Sequence, residues 1–209
     1  MKLDPIYKWT GGKRKEIKIF SEYYPDFVKN TIDYKFIEPF FGGGAVYWSL
    51  NSTNNLINDI DKELVNFLEI MKSDSETIIR MADDISKKIS EISLREKNKL
   101  ISISEAKTER GLTYYEWRDK DRKKGLEEMS NIDRAFRFFL INQLAFNGMR
   151  RFNSRGEFNV PYGRYKEPKI YDPDTLKKAN IALQNTEIFC ADFEESEKFV
   201  IQNSFVSSF

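Results

Sequence analysis

Histidine is absent from this 209-residue chain, and cysteine occurs once, as Cys190. The first absence removes Ser/His/Asp triads, Cys/His pairs and imidazole-ligated metal sites together. A lone cysteine cannot close an internal disulfide, and the opening Met-Lys-Leu-Asp-Pro-Ile carries no apolar run of the kind a secretory leader needs, so a cytoplasmic setting is expected. The longest apolar stretch, around residues 138–145, falls short of the ~20 residues a membrane span requires, and a soluble protein with no membrane partner is expected. Charge of one sign is lacking as well. With 34 Lys+Arg against 33 Asp+Glu, any nucleic-acid surface has to come from local clustering of charge. The chemistry left to the chain is that of carboxylates, amides, aromatic rings, backbone groups or a bound cofactor.

What is present reads as a core under a densely charged surface: 40% of residues are hydrophobic and 32% charged. The length suits one domain carrying a modest insertion. Residues 6–13 form a glycine-broken turn, and residues 14–24 alternate basic and apolar positions at helical spacing until Pro25 stops them. An apolar run at 34–39, then Phe41-Gly-Gly-Gly44, then helix-compatible residues 45–50 predict a strand, a tight turn and a helix. A second strand is predicted at 55–60. A second helix at 62–71 is apolar at Leu64, Val65, Phe67, Leu68 and Met71.

Beyond Asp74 a charged helical stretch runs to about residue 102 with no strand signal. An apolar helix at 132–144 leads into a Gly/Asn-punctuated loop rich in arginine and aromatics. Asp172-Pro173 opens another helix, residues 187–191 form a strand running into Asp192-Phe193, and a further strand begins near residue 203. The expected organisation is α/β: residues 1–72 start a Rossmann-like domain, 73–166 are a helical insertion bearing a binding hairpin, and 167–209 continue the α/β domain.

A strand followed by three glycines lets backbone approach a ligand closely, because each missing Cβ removes a clash. Asp59, about 20 residues after Glu38, stands where nucleotide sites place an acid for ribose hydroxyls. The dinucleotide pattern GxGxxG would need glycine at position 47, which is Tyr47, so a pyrophosphate site is disfavoured. The same residues are also compatible with a plain turn in which Asp59 caps a helix. In the loop, Arg150, Arg151, Arg155 and Arg164 lie among Phe146, Phe152, Phe158, Tyr162 and Tyr165, which supplies forked donors for phosphate or guanine and flat rings for stacking. A solvated loop whose aromatics return to the core would have the same composition.

Four blocks make the pattern specific: Lys8-Trp-Thr-Gly-Gly-Lys13, Phe36-Ile-Glu-Pro-Phe-Phe-Gly-Gly-Gly-Ala45, Asn58-Asp-Ile-Asp61, and the segment from Asn147-Gly148 through Tyr165. In order and spacing they resemble Dam-type DNA adenine methyltransferases across nearly the whole chain. The resemblance implies an S-adenosylmethionine (SAM) domain in which Trp9 and Lys13 line the pocket and Glu38, Phe40, Gly42, Gly43 and Gly44 form the cofactor loop. It places Asp59 on the ribose and Asp192 and Phe193 against the adenine. It also implies double-stranded DNA as partner, with Arg151 reading a guanine, Phe146 and Asn147 near a flipped base, Lys8 at the site, and Arg150, Asn153, Arg155, Tyr162 and Arg164 in the binding hairpin. GATC is the implied target, and a cognate restriction endonuclease an implied companion.

One departure stands out. The family holds the adenine amine with Asp-Pro-Pro-Tyr, yet the six prolines here, Pro5, Pro25, Pro39, Pro161, Pro168 and Pro173, are all isolated. No catalytic residue is therefore assigned, and the expectation is an active methyltransferase truncated before that motif. The alternatives are a catalytically dead remnant or a DNA- or SAM-binding module completed by another polypeptide.

Overall fold

A computed structural model describes residues 3–30, 34–50, 52–200 and 204–207, without the Lys124 side chain. Nine helices are seen among them: α1 (Ile17–Phe20), α2 (Asp26–Lys29), α3 (Ala45–Ser49), α4 (Lys62–Ser73), α5 (Ser75–Lys97), α6 (Ile103–Arg118), α7 (Lys120–Lys124), α8 (Asn131–Leu144) and α9 (Pro173–Gln184). Four strands, β1 (Lys35–Glu38), β2 (Asn55–Asn58), β3 (Thr186–Phe189) and β4 (Ser204–Val206), form one sheet in the order β3-β2-β1-β4. Every pairing is parallel. That order, with strands added outward on both sides of β1, is the doubly wound pattern, and it leaves a crevice at the carboxyl ends of the strands.

Burial explains why these short segments are strands. Phe36, Ile37, Leu56 and Ile57 are almost fully buried, as interior strands of a parallel sheet must be when helices cover both faces. Helix starts follow from local chemistry. Asp61 caps α4, Asp74 caps α5, Ser130 caps α8, and Asp172 caps α9 with Pro173 in its first turn.

The chain from 74 to 102 is not one helix. It ends as α5 at Lys97, Lys99 takes a left-handed φ of 58°, and Ser102 with Glu105 builds a capping box that starts α6. Helix α6 escapes a hydrophobic-periodicity reading because its buried positions include Arg110, Gly111 and Thr113, while Ile103 and Leu112 face solvent. Residues 14–24 form only the short α1 and a following 3-10 turn rather than a full helix.

Helix α8 is the pillar of the helical layer, buried at nine positions from Ala135 to Leu144, and it packs against α4, α5 and α6. Its buried Arg137 is paired with Asp121 at 2.6 Å and donates to the carbonyls of Trp117 and Arg118, so the charge costs little beyond its desolvation. No helix among the described residues is long and apolar enough to cross a membrane.

Candidate functional site

A cavity of about 320 Å³ opens at the carboxyl ends of β1, β2 and β3. Its wall brings together Trp9, Lys13, Glu38, Phe40, Gly42, Gly43, Gly44, Asp59, Asp192 and Phe193, residues from four separate stretches of chain. The volume lies at the small end of ligand pockets, which run from about 300 to 1,000 Å³.

The glycine turn is shaped by what surrounds it. Gly44 has φ 61°, and a Cβ there would overlap the ring of Phe41. A Cβ on Gly42, φ 47°, would stand 2.8 Å from the indole nitrogen of Trp9. Only glycine fits both the backbone conformation and the space. Asp59 fastens the turn: one carboxylate oxygen accepts from the Gly42 N–H at 2.8 Å and the other from the Asp61 N–H at 2.9 Å. The helix cap is Asp61, whose Oδ1 accepts from the backbones of Glu63 and Leu64.

Glu38 is buried at the end of β1, and its Oε2 has no hydrogen-bond partner. Burial pushes its carboxyl well above the ordinary carboxylate range; the backbone N–H of Tyr47 counters this only in part, and the Asp59 charge adds to the rise. A buried carboxyl with one oxygen left without a partner beside a cavity is suited to a cationic group. Across the cavity mouth the Phe40 and Phe193 rings lie 5.0 Å apart at 31°, both partly exposed. Asp192 is exposed and also caps a short 3-10 helix through the Glu194 N–H, so its wall position and its capping role coexist. No cluster of acidic or cysteine side chains able to hold a metal ion occurs among the described residues.

Two polar residues that hold the cavity's framework went unassigned from sequence. Asn58 donates to the carbonyls of Pro39 and Ala191 and accepts from the Ala191 N–H, tying the ends of three strands. Its place in the Asn58-Asp-Ile-Asp61 block was the available signal. Tyr7 is buried and donates to the Gly42 carbonyl at 2.6 Å; burial, then the Asp59 charge, raises its phenol well above normal. Nothing in its local sequence marks it.

The second group of residues lies on a hairpin spanning 145–163. Antiparallel bridges join Ala145 to Tyr162 and Phe152 to Phe158, and Asn153 closes the tip by accepting from the N–H groups of Arg155 and Glu157. Phe146 and Asn147 are exposed, the latter at φ 54°. Arg151 is exposed and held by Asn159, whose Oδ1 accepts from its Nε at 2.8 Å. Arg155 pairs with Glu157, and Arg164 is exposed.

Lys8 sits at the base of this hairpin. Its backbone exchanges two hydrogen bonds with the buried Asn142 amide, and its ammonium donates to the Gln143 carbonyl under the Tyr165 ring. Two hairpin residues point elsewhere. Tyr162 is buried against Tyr114, and Arg150 turns inward to the Asp61 carboxylate at 2.5 Å.

A parallel α/β sheet with a glycine-walled cavity at its carboxyl edge, flanked by a helical layer that carries a basic hairpin, defines the class: a Rossmann-like methyltransferase fold. The model of the D12 class N6 adenine-specific DNA methyltransferases matches residues 9–206, and the chain belongs to that family. It is 37% identical over 210 residues to the type II methyltransferase M.MjaIII of Methanocaldococcus jannaschii, covering 99% of this chain and 68% of that protein. It is 33% identical over 207 residues to the type II methyltransferase M1.LlaDCHI of Lactococcus lactis subsp. cremoris, covering 98% of this chain and 64% of that one. A DNA adenine methylase of Haemophilus influenzae is 28% identical over 206 residues, with 99% of this chain and 63% of the relative covered. The chain thus spans about two thirds of the length of these relatives.

Proposed function

We propose that the chain binds SAM in the glycine-walled cavity and duplex DNA along the hairpin, for methyl transfer to the exocyclic amine of adenine. The observation that carries this reading is the buried Glu38 carboxyl, whose Oε2 has no partner, beside a turn that only glycine can form. When bound, SAM supplies an activated methyl group. Glu38 offers a counter-charge to the cofactor's cationic groups, Asp59 accepts from ribose hydroxyls, and the Phe40–Phe193 ring pair flanks a purine. Asp192 accepts from the purine amine. Trp9 and Lys13 complete the wall.

In this reading residues 1–72 and 167–209 form the cofactor domain and 73–166 the DNA-recognition part. Arg151 reads a guanine edge, Phe146 and Asn147 stand near the extruded adenine, and Lys8, Asn153, Arg155 and Arg164 support the duplex. Extrusion costs a few kcal/mol, which inserted rings offset in part. The proposed target is GATC. The type II names of two relatives support a setting beside a cognate restriction endonuclease.

Because residues 1–209 contain no Asp-Pro-Pro-Tyr, binding rather than turnover is the decisive measurement. Calorimetric titration with SAM and, separately, with NAD is expected to give a single site for SAM alone. Equal or tighter binding of NAD would overturn the cofactor assignment.

A further inference from the structure

Arg150 lies inside the basic hairpin, but its guanidinium is not presented to solvent. It is packed between the rings of Phe138, Trp9 and Phe152, at 4.8, 5.3 and 5.8 Å, and its ion pair with Asp61 leaves the two side chains only 19% and 25% exposed. One of its nitrogens, Nη1, is buried with no acceptor. Such a group is costly to bury, so its location calls for a role.

The partner supplies one. Asp61 donates its backbone N–H to Asp59 at 2.9 Å, and Asp59 in turn holds the N–H of Gly42 at 2.8 Å. Three polar links therefore join the DNA hairpin to the cofactor turn. A second path runs through Trp9, whose ring meets Arg150 on one side and the glycine turn on the other. Arg151 is the next residue along the chain.

We infer that Arg150 is a positioning residue that couples the two ligands, so that cofactor in the cavity and duplex on the hairpin change each other's affinity. The inference rests on the SAM and DNA reading above. Ribose hydroxyls must draw on the Asp59 carboxylate, whose two oxygens now hold Gly42 and Asp61. Any resettling of Asp61 alters the seat of Arg150 and, through it, the stance of Arg151. Coupling of this kind is reciprocal by thermodynamic necessity.

The test is a binding cycle on the full chain. The dissociation constant for SAM is measured by calorimetry with and without saturating unmethylated duplex, in the parent, Arg150→Met, Arg150→Lys and Asp61→Asn. Asn caps helices well, so Asp61→Asn removes the charge while leaving α4 capped and keeps the test valid if Arg150→Met fails to fold. The parent ratio is expected to be on the order of tenfold. It should fall to within about twofold of unity in Arg150→Met and Asp61→Asn, and recover in part in Arg150→Lys. The ratio is the readout because a merely structural loss weakens SAM equally in both arms. An unchanged ratio in Asp61→Asn, or a parent ratio of one with both ligands bound, would overturn the coupling and leave the function reading standing. A parent that binds neither ligand would sink that reading first.

Discussion

Replacing Glu38 by Gln is expected to move stability and cofactor affinity in opposite directions. The folded carboxyl keeps its proton to a pH well above that of an exposed carboxylate, because burial penalises the anion. Between the unfolded and folded values the native state carries more protons than the unfolded chain. Stability is therefore complete at acid pH and declines as pH rises through that window, by about 1.4 kcal/mol per pH unit for one such group. Gln abolishes this decline, so the unliganded variant should melt higher than the parent at neutral pH. Cofactor binding should suffer, since a charge-assisted contact worth roughly 1.5–3 kcal/mol is lost, or about ten- to hundredfold in affinity. The parent should also bind SAM more tightly as pH rises across the same window, because the ligand selects the anion. Thermal melts and SAM titrations from pH 5 to 9 check all three. A Gln variant that binds SAM as the parent does, or that shows the parent's stability slope, would refute the role given to the Glu38 carboxyl.

Further outcomes follow from the same geometry. Asp59→Ala should weaken SAM by roughly 1.5–3 kcal/mol, read by calorimetry, because both the ribose acceptor and the anchor of the Gly42 N–H go together. Gly44→Ala should cost on the order of 1–3 kcal/mol of folding stability in a denaturant titration, since its φ of 61° is unfavourable for alanine and the Phe41 ring occupies the Cβ space. Arg151→Ala should flatten discrimination between a cognate and a one-base-altered duplex, by about 1–3 kcal/mol, whereas Arg164→Ala should weaken both duplexes alike. A uniform loss at Arg151 in fluorescence-anisotropy binding would reassign it to phosphate contact.

The sequence by itself determined the parts whose cause is local. Three glycines after an apolar run, an acid after the next, and Asp172 ahead of Pro173 act over a few residues, so the strands and most helix starts were legible. Family resemblance then named ten of the residues that line one cavity. What sequence could not decide was which way a side chain faces. Arg150 and Arg151 are adjacent arginines in one loop, yet the first is drawn under the rings of Phe138 and Trp9 onto Asp61, while the second is left exposed beside Asn159. Tyr162 likewise joins the core through Tyr114, and Tyr7 reaches Gly42 across 35 positions. Helix α6 was missed because its interior positions are filled by Arg110, Gly111 and Thr113, whose burial depends on partners elsewhere, such as Glu96. In each case the deciding energy is a pairing or ring contact between segments distant in the chain, and only the packed tertiary structure brings such partners within reach.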